Sequence, residues 1–343
     1  MFFASDNSGP VHPEILSAIV RANDGYAMAY GADRKMQQAL ETLKEVFEAP
    51  QAAVYLVSTG SAANALALAT LSQPWQTVFC SPQAHIHQDE CNAPEFFGGN
   101  KLTIVPGGDK IEAAALRSTI SQEESRGVHG PQRGPISITQ ITERGNVYSL
   151  KELHEITRVA TDFGLLVHMD GARLANAVVR LGCSPAEATW KAGIDAVSFG
   201  GTKNGCLQLE AVVLFEPEFA WEFELRRKRG AHLISKHRYL LAQLSTYLKD
   251  NLWLESARQA NRNATRLAKA LQERQIELVS EPEANMIFFR ASRKLHQRLF
   301  EKGAVYHLWD GTIEGPKNEL ITARLVCDWS LSSSQLDAFA ALF

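Results

Sequence analysis

The stretch from residue 165 to residue 205 leaves this chain few folds to choose from. Leu165-Leu166-Val167-His168-Met169 is a short, mostly apolar run that ends abruptly in Asp170-Gly171-Ala172-Arg173. A buried parallel strand looks like this when it delivers polar side chains at its carboxyl end, where open α/β sheets bind ligands. Asp195-Ala196-Val197-Ser198-Phe199 repeats the design and runs through Gly200-Gly201 into Thr202-Lys203-Asn204. Two such strand ends side by side set a carboxylate, a guanidinium and an amine around one crevice. Taken singly, Asp170 reads as a helix cap and Lys203 as a solvated loop lysine. Taken together with Arg173, they read as a reactive site.

That trio suits pyridoxal 5′-phosphate (PLP). A lysine amine forms a Schiff base with the cofactor aldehyde, and a carboxylate keeps the pyridine nitrogen protonated so that the ring withdraws electrons. A phosphate site is also on offer. The strand-like Ala53–Val57 leads through Ser58-Thr59-Gly60-Ser61 into an Ala/Leu-rich helix, and the first N–H groups of a helix attract anions. The turn has neither Walker spacing nor a dinucleotide Gly-x-Gly-x-x-Gly, and Thr59 and Ser61 serve equally as plain N-caps. His85-Ile86-His87-Gln88-Asp89-Glu90 raises a metal site as an alternative. Two histidines at i, i+2 diverge on a helix, however, and no second ligand group stands out. A single imidazole, His85, lying on an aromatic cofactor is the more economical reading, with no metal.

The rest of the chain bounds the class. It has 343 residues, 45% of them hydrophobic and 21% charged, with a formal net charge of −3. That is enough for a large core and argues against a nucleic-acid surface. The one basic run, Arg226 to Arg238, reads as a solvated helix face or a cationic contribution to a phosphate site. The five cysteines form no Cys-x-x-Cys pair, no apolar run reaches the ~18 residues of a membrane span, and the N-terminus lacks a signal-peptide pattern. A soluble, cytoplasmic protein is expected. Helices are expected from Pro13, with Ile15, Leu16, Ile19 and Val20 on one face, from about Asp33 to Phe47, and after Leu150. Ile111–Gly134 is polar, its second half surface loop, and Ile136–Ile141 is a strand. Ala211–Phe215 is a further strand of unassigned direction. The alternation predicts an α/β fold with a large, doubly wound, mostly parallel sheet over residues 1–250. A long helix from Leu254 then leads into a smaller α+β domain, 251–343, with strands near Asn285–Arg290, Ala304–Leu308 and Leu320–Val326. Arg324 lies inside the last of these and needs a partner, either a substrate carboxylate or an internal acid.

On Ser5-Asp6, Tyr30-Gly31, Thr59–Asn64, Ala84-His85, His168-x-Asp170-Gly171-Ala172-Arg173, Lys203 and Arg324-Leu325-Val326, the chain resembles the threonine aldolase branch of the fold-type-I PLP enzymes, the β-eliminating lyase group. The likeness covers essentially the whole length. It implies cleavage of L-threonine, L-allo-threonine and related β-hydroxy-α-amino acids to glycine and an aldehyde, with another PLP lyase or aminotransferase as the alternative. Lys203 would carry the Schiff base, Asp170 would face the pyridine nitrogen, and Arg173 would reach the phenolic oxygen. Gly60 and Ser61 would form the phosphate cup and His85 would stack on the ring. Ser5 and Arg324 would hold the substrate carboxylate. The resemblance also implies a homo-oligomer, dimer-based and tetrameric, in which Tyr30, Arg229 and Lys236 complete a neighbouring subunit's site. Lys236 stands where an arginine is more usual. Gln140 is expected where relatives carry a second active-site histidine, which leaves His85 or a water as the base.

Overall fold

The computed structural model describes residues 1–32 and 34–343; Asp33, the expected start of the second helix, lies outside them. In chain order the strands are β1 (Ala53–Val57), β2 (Gln76–Cys80), β3 (Lys101–Ile104), β4 (Gln132–Thr139), β5 (Val167–Gly171), β6 (Ala196–Gly200), β7 (Glu210–Leu214), β8 (Glu277–Leu278), β9 (Met286–Ser292), β10 (His307–Leu308) and β11 (Leu320–Val326). The helices are α1 (Pro13–Arg21), α2 (Arg34–Val46), α3 (Gly60–Leu71), α4 (His85–Gln88), α5 (Ala93–Gly98), α6 (Ala113–Gln122), α7 (Leu150–Asp162), α8 (Leu174–Leu181), α9 (Ala220–Arg229), α10 (Arg238–Leu248), α11 (Leu252–Gln272), α12 (Arg293–Glu301) and α13 (Ser333–Ala340).

Seven strands form one sheet in the order β1-β7-β6-β5-β4-β2-β3. β5 and β6 run parallel in register, Asp170 beside Ser198, and every residue of both is buried. Helices cover both faces, which is why these strands are continuous apolar runs. The segment from Gly200 to Glu210 holds only a 3-10 turn, Thr202–Asn204. It is too short for a crossover helix, so β7 returns antiparallel to β6 and settles the direction the sequence leaves open. α3 is buried all round from Ala62 to Leu71, as its Ala/Leu composition requires. Ser149 and Glu152 start α7 with a reciprocal capping box.

Two expectations need correcting, and one open stretch is filled. β4 begins at Gln132, four residues early, because Gln132 and Arg133 pair with Gln76 and Thr77 at the start of β2. The first half of the polar 111–134 stretch, left unassigned by the sequence, forms α6, whose only buried residues are Leu116 and Ile120. On α1 the buried positions are Ile15 and Ala18, while Leu16 and Val20 are exposed.

The second sheet is antiparallel, ordered β10-β11-β9-β8. Its core gathers Leu267, Leu271, Phe289, Leu325 and Phe339, and also Phe3. The start of the chain therefore crosses to it: Phe3 donates to the Val305 carbonyl (2.7 Å) and accepts from Val326 N–H (2.8 Å). This crossing holds Ala4–Asn7 beside β11 and hence beside Arg324. Among the described residues no helix is long and apolar enough to cross a membrane.

Candidate active site

A cavity of about 390 Å³ opens where β5, β6 and β1 end. β5 delivers Asp170 to it, the 3-10 turn after β6 delivers Lys203, and the β1–α3 turn delivers Gly60 and Ser61. The two central strands can close up there because of Gly200: a Cβ on it would overlap the Ala172 carbonyl oxygen and lie 2.7 Å from that residue's carbonyl carbon. At α3 the Thr59 hydroxyl accepts from Ala62 N–H (3.2 Å) and caps the helix. Gly60 and Ser61, whose N–H groups a helix leaves without intrahelical partners, face the cavity. A Cβ at Gly60 would meet nothing within 4 Å, so the approach to the helix start is open.

A buried chain of polar groups floors the site. Asn64 Nδ2 donates to Asp170 Oδ2 (3.0 Å) and to Glu90 Oε1 (2.9 Å), and Glu90 Oε1 also meets His85 Nδ1 (2.8 Å). His85, Glu90 and Asp170 bring one ligand atom each within 4.8 Å of one another. These atoms already serve the hydrogen-bonded chain, and His87 points to solvent, so the histidine pair does not converge. Burial disfavours protonation of His85, but the Glu90 hydrogen bond and the charges of Asp170 and Glu143 outweigh it and raise its pKa. Burial likewise penalises the charge on Asp170, yet His85 and Lys203 hold that carboxyl below its ordinary value. Beneath it His168, fully buried between the hydroxyls of Ser137 and Ser198 (3.0 Å each), is pushed down to about 4 and stays neutral.

Arg173 is buried and bound in parallel fork geometry to Asp6, Nε to Oδ2 (2.7 Å) and Nη2 to Oδ1 (2.9 Å). Asn285 Nδ2 also donates to Asp6 (3.1 Å). That leaves Nη1 and the second N–H of Nη2 for anything else. Arg324 has no acid within ion-pair distance among the described residues. Its Nη2 reaches only the Ala4 carbonyl (3.4 Å), its guanidinium lies 5.2 Å over the Trp309 ring, and its buried Nε has no partner. Burial and then repulsion from Arg173 lower its pKa. Of the two partners open to it, an internal acid is absent, and a carboxylate arriving from outside would find a free donor.

Gly60, Ser61, His85, Asp170 and Lys203 thus line one cavity, with Arg173 one residue beyond the lining Ala172 and Arg324 on the Ala4 carbonyl, next to Ser5, whose hydroxyl caps the Asp6–Ser8 turn. Arg229 and Lys236 do not join them; both are exposed on their own chain. Tyr30 lies with them on the outside, its N–H bound to the Ser235 carbonyl (2.9 Å) and Lys228 over its ring (5.1 Å). Gln140 does not take the place expected of it. β4 ends at Thr139, and Gln140 turns inward to pair both its amide atoms with the backbone of Tyr148 (2.9 and 3.0 Å), fully buried. Asn64, Glu90 and Glu210 are all buried against the cavity. The sequence weighed Glu90 only as a metal ligand and gave Asn64 no role of its own, while Glu210 leaves a trace as a carboxylate directly before an apolar strand. A second cavity, about 410 Å³, opens at the opposite end of β5 and β6 with no lysine, arginine or histidine in its lining.

Comparison with known proteins agrees with this architecture. Residues 3–294 match the family described as beta-eliminating lyase. The chain is 38% identical over 342 residues to the low specificity L-threonine aldolase of Pseudomonas sp. (strain NCIMB 10558), covering 99% of this chain and 96% of that one. It is 39% identical over 330 residues to the enzyme of the same name from Pseudomonas aeruginosa, covering 95% and 92%. Among solved structures it superposes on the threonine aldolase of Leishmania major with a TM-score of 0.92 at 26% identity, covering 99% of this chain and 98% of that one. The fold alone is shared with a serine palmitoyltransferase from Sphingomonas wittichii, with a TM-score of 0.74, 15% identity, and 100% and 86% covered.

Proposed function

This chain belongs to the beta-eliminating lyase family, and on that premise we infer that it is a PLP-dependent aldolase of the fold-type-I class. It cleaves L-threonine, L-allo-threonine and related β-hydroxy-α-amino acids reversibly to glycine and an aldehyde. The observation that carries the reading is Lys203 and Asp170 meeting in one cavity with an open helix start. The residues fit the cofactor. Gly60 has no side chain to block a phosphate, and the N-terminus of α3 favours its charge. Asp170 stays ionised despite burial, as a partner for a protonated ring nitrogen must.

Bound PLP supplies an electron sink for the pair released when a bond at Cα breaks. Lys203, the lysine lining the cavity, would hold it through its amine. His85, held from behind by Glu90, would cover one face of the ring. Arg173, itself fixed by Asp6, would turn its remaining N–H donors to the phenolic oxygen. Arg324 and Ser5 would take the substrate carboxylate and so orient the substrate for the cleavage of its Cα–Cβ bond. The working unit is a cytoplasmic homo-oligomer, dimer-based and tetrameric, in which Tyr30, Arg229 and Lys236 complete the neighbouring site.

The test is product analysis. L-Threonine incubated with the purified protein should give glycine and acetaldehyde in equal amounts. Ammonia or an α-keto acid instead would assign elimination or transamination. Lys203→Ala should reduce turnover to background with the fold intact, since no other amine lines the cavity.

A further inference from the structure

The buried acids around the cavity mostly have their partners. Asp6 is taken up by Arg173 and Asn285, Glu90 by His85 and Asn64, and Asp170 by Asn64 and the Ala172 N–H. Glu143 is different. It is half-buried on the loop after β4, and among the described residues its carboxylate makes no hydrogen bond or ion pair. Yet its charge acts on His85, Arg173 and Arg324, the three cationic groups around the substrate's place.

The loop that carries it is held from three sides. Asp109 Oδ2 accepts from both Thr142 Oγ1 and Asn146 Nδ2 (2.5 and 2.8 Å). Arg144 Nε donates to Gln83 Oε1 (2.9 Å), on the segment leading into His85. Glu283 accepts from the Val147 N–H (2.5 Å), and Gly145 abuts Met286 at the start of β9, the strand paired with Arg324's own. The backbone at position 143 is therefore held between the His85 segment and the sheet that bears Arg324, with its carboxylate unpaired among the described residues.

We propose that Glu143 is the base that takes the β-hydroxyl proton in the cleavage, an assignment that rests on the aldolase function above. A substrate held by its carboxylate on Arg324 and by its amino group at the end of Lys203 leaves its hydroxyl-bearing side chain to that flank. A Glu143 oxygen accepts the hydroxyl proton, and the O–H pair becomes the second carbon–oxygen bond of the departing aldehyde. The Cα–Cβ bond breaks and its pair stays with Cα, where the cofactor withdraws it. A proton added at Cα completes glycine, and Glu143 releases its own to solvent. His85 suits this step less well: Glu90 occupies its Nδ1 and favours the protonated ring. Asp89, another acid whose charge reaches Arg324, is exposed.

Two reactions of the holoenzyme separate the role from mere support. Threonine cleavage needs a β-hydroxyl base; exchange of the glycine α-proton in D₂O does not. Glu143→Gln should lower kcat for cleavage by about 10²–10⁴, the range for loss of a general base. The KM for threonine, the rate of glycine exchange and the absorbance of bound cofactor should stay near wild type. Glu143→Asp, which restores the carboxylate on a shorter arm, should recover part of the rate. Cleavage by the Gln variant within a few-fold of wild type overturns the proposal. So does a parallel loss of glycine exchange or of cofactor absorbance, which would make Glu143 a support for Arg324 and His85. Wild-type protein that releases no aldehyde from threonine would instead sink the aldolase reading itself.

Discussion

Burial has opposite outcomes for the acids of this site, and the neighbouring charges decide which. Asp170 and Asp6 are desolvated, but the cations facing them keep both below the ordinary carboxylate range. For Glu210 desolvation wins over the Thr202 hydrogen bond and the charge of Lys203, and its pKa is pushed up to about 7. Strand register explains the position: Glu210 pairs with Val57 on one side and Gly200 on the other, between the turn before α3 and the turn that carries Lys203. An ordinary glutamate titrates near 4.5. Between the two values the native chain keeps a proton that the unfolded chain has released. The group's contribution to stability is thus complete below about 4.5 and is lost as pH rises through about 7. With cofactor removed, raising the pH from about 5 to about 8 should lower the Tm of wild type more than that of Glu210→Gln, which has no proton to lose. Identical pH slopes for the two proteins would mean that Glu210 titrates like an exposed carboxyl.

At the level of elements, the site depends on how closely two strand ends approach. Gly200 closes β6 against the Gly171-Ala172 backbone, and backbone cannot move aside as a side chain can. Gly200→Ala should drive the Thr202–Asn204 turn away from Asp170, weakening cofactor binding and costing about 1–3 kcal/mol of stability, the usual penalty of overpacking. A cofactor titration with unchanged affinity would show that the turn adapts. β5 and β6 were the most legible parts of the sequence for the same reason: strands buried on both faces must be apolar until the residue that meets the ligand. Elements that bury little were harder. α6 hides only Leu116 and Ile120, too few to stand out against a polar stretch, and the exposed Leu16 and Val20 imitate a core stripe on α1. The Asp6–Arg173 pair and the bonds from Asn64 to Glu90 and Asp170 join residues remote in sequence, and no local pattern encodes which will meet. Gln140 and Glu143 illustrate the limit. Both follow β4, but the loop's hydrogen bonds, and not its sequence, turn the first inward and leave the second free.

Across the whole molecule, the lining of the cavity in one chain carries more acids than bases. The cavity is lined by three acids, Glu90, Asp170 and Glu210, against Lys203 and His85 as the only basic groups. A dianionic cofactor therefore calls for cations from elsewhere, and Arg229 and Lys236 stand exposed on the outside of the same chain, with Tyr30 beside the Lys236 segment. The N-terminal stretch adds a run of exposed apolar side chains, Leu16, Val20, Tyr26 and Met28, of the kind that marks an interface. In a two-fold dimer each site would take Lys203 from one chain and Lys236 from the other. Lys203→Ala alone and Lys236→Ala alone should both be poor enzymes. Co-expressed, they should form mixed dimers in which one site carries both substitutions and the other carries neither. With random pairing half the dimers are mixed and one site in each is intact, so activity should recover to about a quarter of wild type. If Lys236 instead served the site of its own chain, no mixed dimer would contain an intact site. The preparation would then be no more active than the average of its two parents.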